Sequence, residues 1–155
     1  MSNRPENVAR FLAERRIAIV GVSRQSSSAA NAVFKKLKTG GYDVVPVNPN
    51  ATEVEGATCY PDLKAIPGEI GGVVIATHPD VSADVVRQCK ERGVKHVWFH
   101  RSFGAGSVSS GAVEECKRLG IDAIVGGCPL MFCEPVDMGH KCMRWWLQRS
   151  GRMPK

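Results

Sequence analysis

Three observations predict an α/β fold: one open, doubly wound, mainly parallel five-stranded sheet with helices on both faces, plus a C-terminal helix. Five short runs rich in Val and Ile recur along the chain, and stretches with helical spacing separate them. The runs are apolar without alternation, as strands covered on both faces are. Sixteen Gly and nine Pro in 155 residues supply turns for short elements.

In chain order, residues 5–15 carry Val8, Phe11 and Leu12 at helical spacing behind Pro5, which suits a first turn. Ile17 to Val20 is a buried strand that stops at Gly21. Residues 29–38 place Ala30, Val33, Phe34 and Leu37 on one helical face, ended by Gly40 and Gly41. Residues 43–47 form a second strand, halted by Asn48, Pro49 and Asn50. Residues 58–67 predict a short edge segment and one helical turn. A third strand spans 72–76, followed by a helix over 81–92 with Val81, Val85 and Cys89 inward. The fourth strand covers 96–99. A helix over 109–119 turns Ala112, Val113 and Cys116 to one side, and the fifth strand covers 121–125. A closing helix over 136–149 carries Met138, Cys142, Trp145 and Trp146 at i, i+4, i+7 and i+8.

One domain over 1–155 accounts for the length: an N-terminal helix (1–16), a core (17–133) and a basic helical extension (134–155). Right-handed crossovers leave two strand orders open, the dinucleotide-binding one and the flavodoxin-like one. No internal repeat is present.

The chain is 43% hydrophobic and 23% charged, with a mean hydropathy of -0.14, a composition that excludes a disordered tail or a coiled coil. No secretory signal or membrane span is legible, and six widely spaced cysteines then read as reduced thiols in a cytoplasmic protein. The formal charge of +6 is unevenly placed: residues 1–16 carry +2, 134–155 carry +3 and the body only +1. The basic termini are therefore a solvated rim or a docking surface. Aromatic residues make up 6% and do not interleave with the basic ones except around Arg144, Trp145 and Trp146, so nucleic acid is not an expected partner.

In such sheets ligands bind at the carboxyl ends of the strands, where the order reverses. Five loops meet there. The first, Gly21 to Ser26, opens a helix and offers backbone N–H groups, hydroxyls and Arg24, a combination that favours phosphate. Ser26 or Ser28 could equally do no more than cap that helix. A dinucleotide fingerprint needs later glycines after Gly21 and an acid at the end of the second strand. The chain has neither, and its first acid there is Glu53.

The segments Ile17 to Ser23, Gly41 to Pro49 and Tyr60 to Leu63, with Gly93 to Trp98 and Cys128-Pro129, closely resemble the small stand-alone CoA-binding proteins. These share the Rossmann-like CoA-binding domain of the succinyl-CoA synthetase alpha subunit, and the resemblance covers roughly residues 11–133. It implies coenzyme A or an acyl-CoA as the ligand. By the same resemblance, Gly21, Ser23 and Arg24 hold its phosphates and Asn48, Pro49 and Asn50 flank its adenosine end. Thr77, His78 and Pro79 line the cleft, and His100 and Arg101 reach the ligand from the fourth loop. The fourth loop departs from many relatives, with Ser102 and Phe103 before Gly104.

The ligases of that superfamily phosphorylate a histidine in a second domain, and none of the four histidines here has a matching context. His96 and His140 read as structural. No nucleophile elbow or P-loop occurs, so no catalytic residue is assigned. Cys128, Cys133, His140 and Cys142 have no metal-site spacing, and Cys142 reads as buried on the apolar stripe. Cys128, at the end of the fifth strand, is expected at the ligand edge, where a thiolate would form a mixed disulfide with CoA. Besides a non-enzymatic CoA binder, two readings stand: an NAD(P)-binding enzyme or redox sensor, and a detached ligase subunit or a module docking through its Trp145–Trp146 helix. Self-association through that helix is a further possibility.

Overall fold

A computed structural model describes residues 4–101 and 106–154. The elements are α1 (Glu6–Leu12), β1 (Arg16–Val20), α2 (Ala29–Thr39), β2 (Asp43–Val47), β3 (Glu53–Val54), β4 (Ala57–Thr58), β5 (Gly72–Ile75), α3 (Pro79–Glu91), β6 (His96–Phe99), α4 (Ser110–Leu119), β7 (Asp122–Val125), a 3-10 turn (Pro129–Met131) and α5 (Met138–Arg149).

The five-stranded sheet is parallel throughout, in the order β2-β1-β5-β6-β7. Its full strands alone follow the flavodoxin-like order. Tyr60 changes that reading, because it pairs in parallel with Val47: its N–H donates to Pro46 O at 3.1 Å and its carbonyl accepts from Asn48 N at 2.9 Å. Tyr60 is thus a one-residue outer strand beside β2, and counting it gives the Rossmann order.

Side chains alternate across the pleat, and each face has its own core. Ile17, Ile19, Val74, Trp98 and Ile124 pack with Phe11 of α1, Val33, Phe34 and Leu37 of α2, and Leu147 of α5. Ala18, Val20, Val73, Ile75, Val97 and Phe99 pack with Val85, Val86 and Cys89 of α3 and Cys116 of α4. Trp98 lies edge-on to Phe11 at 5.4 Å, and its buried indole N–H donates to Gly126 O at 3.0 Å. His96 sits at the opposite, amino-terminal end of the sheet between Glu14 and Asp122, each 3.4 Å away.

Several local expectations are corrected. α1 stops at Leu12, because residues 13–15 turn to bring Arg16 into β1. Residues 61–66 form no helix but one hydrogen-bonded turn at Lys64 and Ala65, with Ile66 N–H donating to Leu63 O at 3.4 Å and Ala65 N–H to Asp62 Oδ1 at 2.9 Å. Before them lies the β3–β4 hairpin, whose two turn residues, Glu55 (φ 50) and Gly56 (φ 73), both have the positive φ of a type I′ turn. α3 begins early, with Pro79 as its first residue, and buries Ser82, Val85, Val86 and Cys89. Val81 falls outside that face and is 48% exposed.

The largest correction concerns α5. Its predicted apolar stripe faces outward: Met138 is 77% exposed, Trp145 58% and Trp146 48%, and Cys142 is exposed too. The helix is held from its other side by Leu147, Met143 and Arg144, whose guanidinium donates to Met131 O at 3.0 Å. Among the described residues no helix is long and apolar enough to cross a membrane.

Candidate functional site

The chain leaves β1 for β2 on one side and returns to β5 on the other, so the order reverses between β1 and β5. Gly21 stands at that point. Its φ is +106°, and a Cβ built there would lie 2.5 Å from Ala76 O and 2.7 Å from Ala76 C. Only glycine lets the first loop cross so close to the end of β5.

Beyond Gly21 the loop is organised by a residue the sequence reading missed. Asn31, buried on α2, accepts from Ser23 N–H (2.7 Å) and Ser28 Oγ (2.6 Å) through Oδ1. Its Nδ2 donates to Ser23 O (2.7 Å) and Glu55 Oε1 (2.9 Å). Ser28 caps α2 by accepting from Asn31 N–H at 3.1 Å. The pattern Ser28-x-x-Asn31, a polar residue at the capping-box position, was the available signal. Ser23 spends its hydroxyl on Gln25 N–H at 3.0 Å, so its side chain shapes the turn.

With the loop so held, the backbone N–H groups of Ser26, Ser27, Ala29 and Ala30 meet no protein acceptor among the described residues. They are orphan donors at a helix N-terminus, the chemistry that suits a phosphate. Glu55 brings an anion to the same place. Hydrogen bonds from Asn31 and then Ser26 hold its carboxyl below the usual range, and Lys35 lies 3.9 Å away.

Asn48 staples the second loop to the first. Its Nδ2 donates to Val22 O at 2.8 Å, and its Oδ1 accepts from Asn50 N–H at 2.7 Å. Next to the staple lies an open cleft of about 510 Å³, lined by Arg24, Pro49, Asn50, Thr52, Glu53 and Cys59, with Ala51 and Pro61. Three predicted residues, Arg24, Pro49 and Asn50, thus meet in one cavity, and burial pushes the Cys59 thiol up in pKa.

The other predicted residues lie on the same edge, outside this cleft. Thr77 Oγ1 is 3.4 Å from Ser82 Oγ, and Ser82, fully buried, donates to Ser107 O at 2.8 Å, tying the third loop to the fourth. His78, with a 73% exposed side chain, caps α3 at Asp80 N–H ahead of Pro79. Arg101 is exposed and fixed by its backbone, whose N–H donates to Gly127 O at 2.9 Å. Ser102, Phe103 and Gly104 lie outside the described residues. Cys128 is only 2% exposed and belongs to the α1–α2 core, so the mixed disulfide expected of it requires the thiol to be uncovered first. His140 Nδ1 donates to Oδ2 of Asp137, the N-cap of α5, 2.6 Å away. No group of three or more metal-ligating side chains occurs among the described residues.

His100 is buried at the end of β6, and its Nε2 meets no hydrogen-bond partner among the described residues. Burial, and then the nearby His140, push its pKa below the ordinary value. The folded state thus resists a proton that the unfolded chain accepts below about pH 6.5. Stability is expected to fall as pH drops from that value until the folded form is protonated as well. Denaturant titrations near pH 7.5 and pH 5.5 check this: His100→Gln should lose less stability over the interval than the wild type. Equal losses would show that His100 contributes nothing to the slope.

Residues 15–134 match the family described as CoA binding domain. Acetate–CoA ligase (ADP-forming) II of Archaeoglobus fulgidus is 32% identical over 104 residues, which are 66% of this chain and 14% of the ligase. The alpha subunit of acetate–CoA ligase (ADP-forming) II of Pyrococcus furiosus is 36% identical over 88 residues, 56% of this chain and 19% of that one. Among solved structures, a hypothetical protein from Pyrococcus horikoshii OT3 superposes with a TM-score of 0.74 at 31% identity, covering 83% of this chain and 93% of that one. The match thus spans less than a fifth of either ligase. It runs from the residue before β1 through the 3-10 turn and leaves α5 outside; over that stretch the chain belongs to the CoA-binding domain family and is related to acyl-CoA ligase subunits.

Proposed function

We propose that this protein binds coenzyme A or an acyl-CoA across the carboxyl ends of its strands and performs no catalytic step of its own. The observation that carries this reading is the staple from Asn48 to Val22 O. It fixes the loop that leads to the orphan donors of α2 against the loop that lines the cleft of Arg24, Pro49 and Asn50. The pyrophosphate then sits over the amino end of α2, with the adenosine end in the cleft. Asn48 contributes by holding the two loops together rather than by touching the ligand.

A dinucleotide finds less support. The position after β2 is Asn48, whose amide is used internally, and the first acid after it, Glu53, comes five residues later. A second reading, a module that works with a separate ligase subunit, draws support from the two ligase relatives.

Thermal unfolding with CoA or with NADH separates the CoA reading from the dinucleotide one. Ligand at a hundredfold excess over Kd stabilises by about 2.7 kcal/mol, which raises Tm by several degrees. CoA is expected to give that rise, and a rise with NADH alone would overturn the reading. Arg24→Ala should weaken CoA binding about tenfold by removing a charge-assisted contact. Glu55→Gln should tighten it about two- to fivefold, because it removes a negative charge beside the phosphate and keeps an acceptor for Asn31. Unchanged affinity in both variants would place the phosphates elsewhere.

A further inference from the structure

We propose that α5 pairs antiparallel with the α5 of a second copy of this chain, about a two-fold axis close to Cys142. The helix is inverted relative to an ordinary surface helix. Met138, Cys142, Trp145 and Trp146 all face solvent, whereas of its residues only Leu147 is buried in the core. Two exposed tryptophans and a methionine on one short face form an apolar patch of the kind that marks an interaction site. The family match ends at residue 134, so this face is no part of the shared domain.

Charge selects the occupant. Glu134 and Asp137 stand at the amino end of α5, and Arg149 and Arg152 at its carboxyl end. The two arginines are stacked on the apolar face itself, Arg149 over Trp145 at 5.1 Å and Arg152 over Trp146 at 5.7 Å. A parallel pair would set like ends together. An antiparallel pair sets the arginine end of each helix over the acidic end of the other and opposes the two helix dipoles. It is also isologous, so the same contacts form twice. With the axis at Cys142, Met138 meets Trp146 of the other copy, and Trp145 lies over its Gly139, which leaves room for the ring. A second copy uses both the acidic and the arginine end, whereas an anionic bilayer would use only the basic residues of this +3 segment. This pairing is independent of the ligand reading.

Sedimentation velocity of the full chain from about 1 to 200 µM, a range that brackets micromolar affinities, tests it. A monomer–dimer equilibrium is expected. Trp145→Ala with Trp146→Ala should weaken it at least tenfold without lowering Tm by more than a few degrees, since both rings are exposed. Arg149→Glu should weaken it as well, and Glu134→Arg added to Arg149→Glu should restore it. Cys142 is the one exposed cysteine of the six. A short bismaleimide should therefore link two chains through it, and Cys142→Ser should abolish the link. A monomer at every concentration, or a dimer indifferent to the tryptophan and charge variants, would overturn the proposal. So would a monomer that sediments only with phosphatidylserine vesicles, which would give the face to lipid.

Discussion

Gly21→Ala is expected to cost about 3 kcal/mol or more of stability and to lower Tm by about 10 °C or more. Two costs combine. At φ +106° any L side chain is strained, by about 1–3 kcal/mol. The new Cβ would also lie 2.5 Å from Ala76 O, a backbone atom that cannot swing aside. Relief would require β1 and β5 to part, and these are central strands joined by Ala76 N–H donating to Val20 O at 2.8 Å. Gly41→Ala is the control, because Gly41 has φ +88° and nothing within 4 Å of its Cβ position. It should show the conformational cost alone, about 1–2 kcal/mol. Chemical denaturation of both variants measures the difference. If Gly21→Ala is no worse than Gly41→Ala, the crossing over Ala76 is not what demands glycine.

The same residue shows what the sequence could and could not supply. That Gly21 ends a strand and opens a turn is local, and the apolar run before it announces it. That it touches Ala76 depends on β1 pairing with β5, and periodicity is silent on pairing. The strands over 43–47 and 96–99 were legible to the residue for the first reason. The hairpin of β3 and β4 was not, since its strands are too short to show alternation and its turn puts Glu55, an uncommon residue there, at positive φ. In α5 the spacing identified which residues share a face but not which way the face points. Direction is set by what the sheet has left to cover, and Leu147, Met143 and Arg144 already meet that need.

The site divides along the same line. That Arg24, Pro49 and Asn50 stand at the carboxyl edge was legible from loop position alone, and they line one cleft. Ser23 and Asn48 lie where expected, yet their polar atoms are spent on the chain itself. A sequence reveals that a residue can donate and accept, whereas only the fold reveals whether a neighbour has already taken that capacity.

Asn31 should give the second largest effect, one that reaches both stability and binding. Asn31→Ala strips the partners from Ser23 N–H and Ser23 O, both part of a tightly held turn. Leaving such groups unsatisfied costs about 1–3 kcal/mol each at full burial, and the partly exposed turn recovers some of that from water. A net loss of about 2–3 kcal/mol is expected, with CoA binding weakened about tenfold because the donors of α2 are no longer held in one arrangement. Asn31→Asp separates the roles of the amide. It keeps an oxygen to accept from Ser23 N–H and Ser28 Oγ, but it sets a second oxygen against Ser23 O and the Glu55 carboxylate, where Nδ2 had donated. Two neighbouring carboxylates raise each other's pKa, so a proton taken up between them restores a donor. The Asn31→Asp defect should therefore be largest near neutral pH and shrink as pH falls toward about 5, while that of Asn31→Ala stays constant over the same interval. Denaturant midpoints of the two variants against pH distinguish these courses. Parallel curves would mean that Glu55 and Asn31 are not coupled, and that the hairpin takes no part in holding the loop.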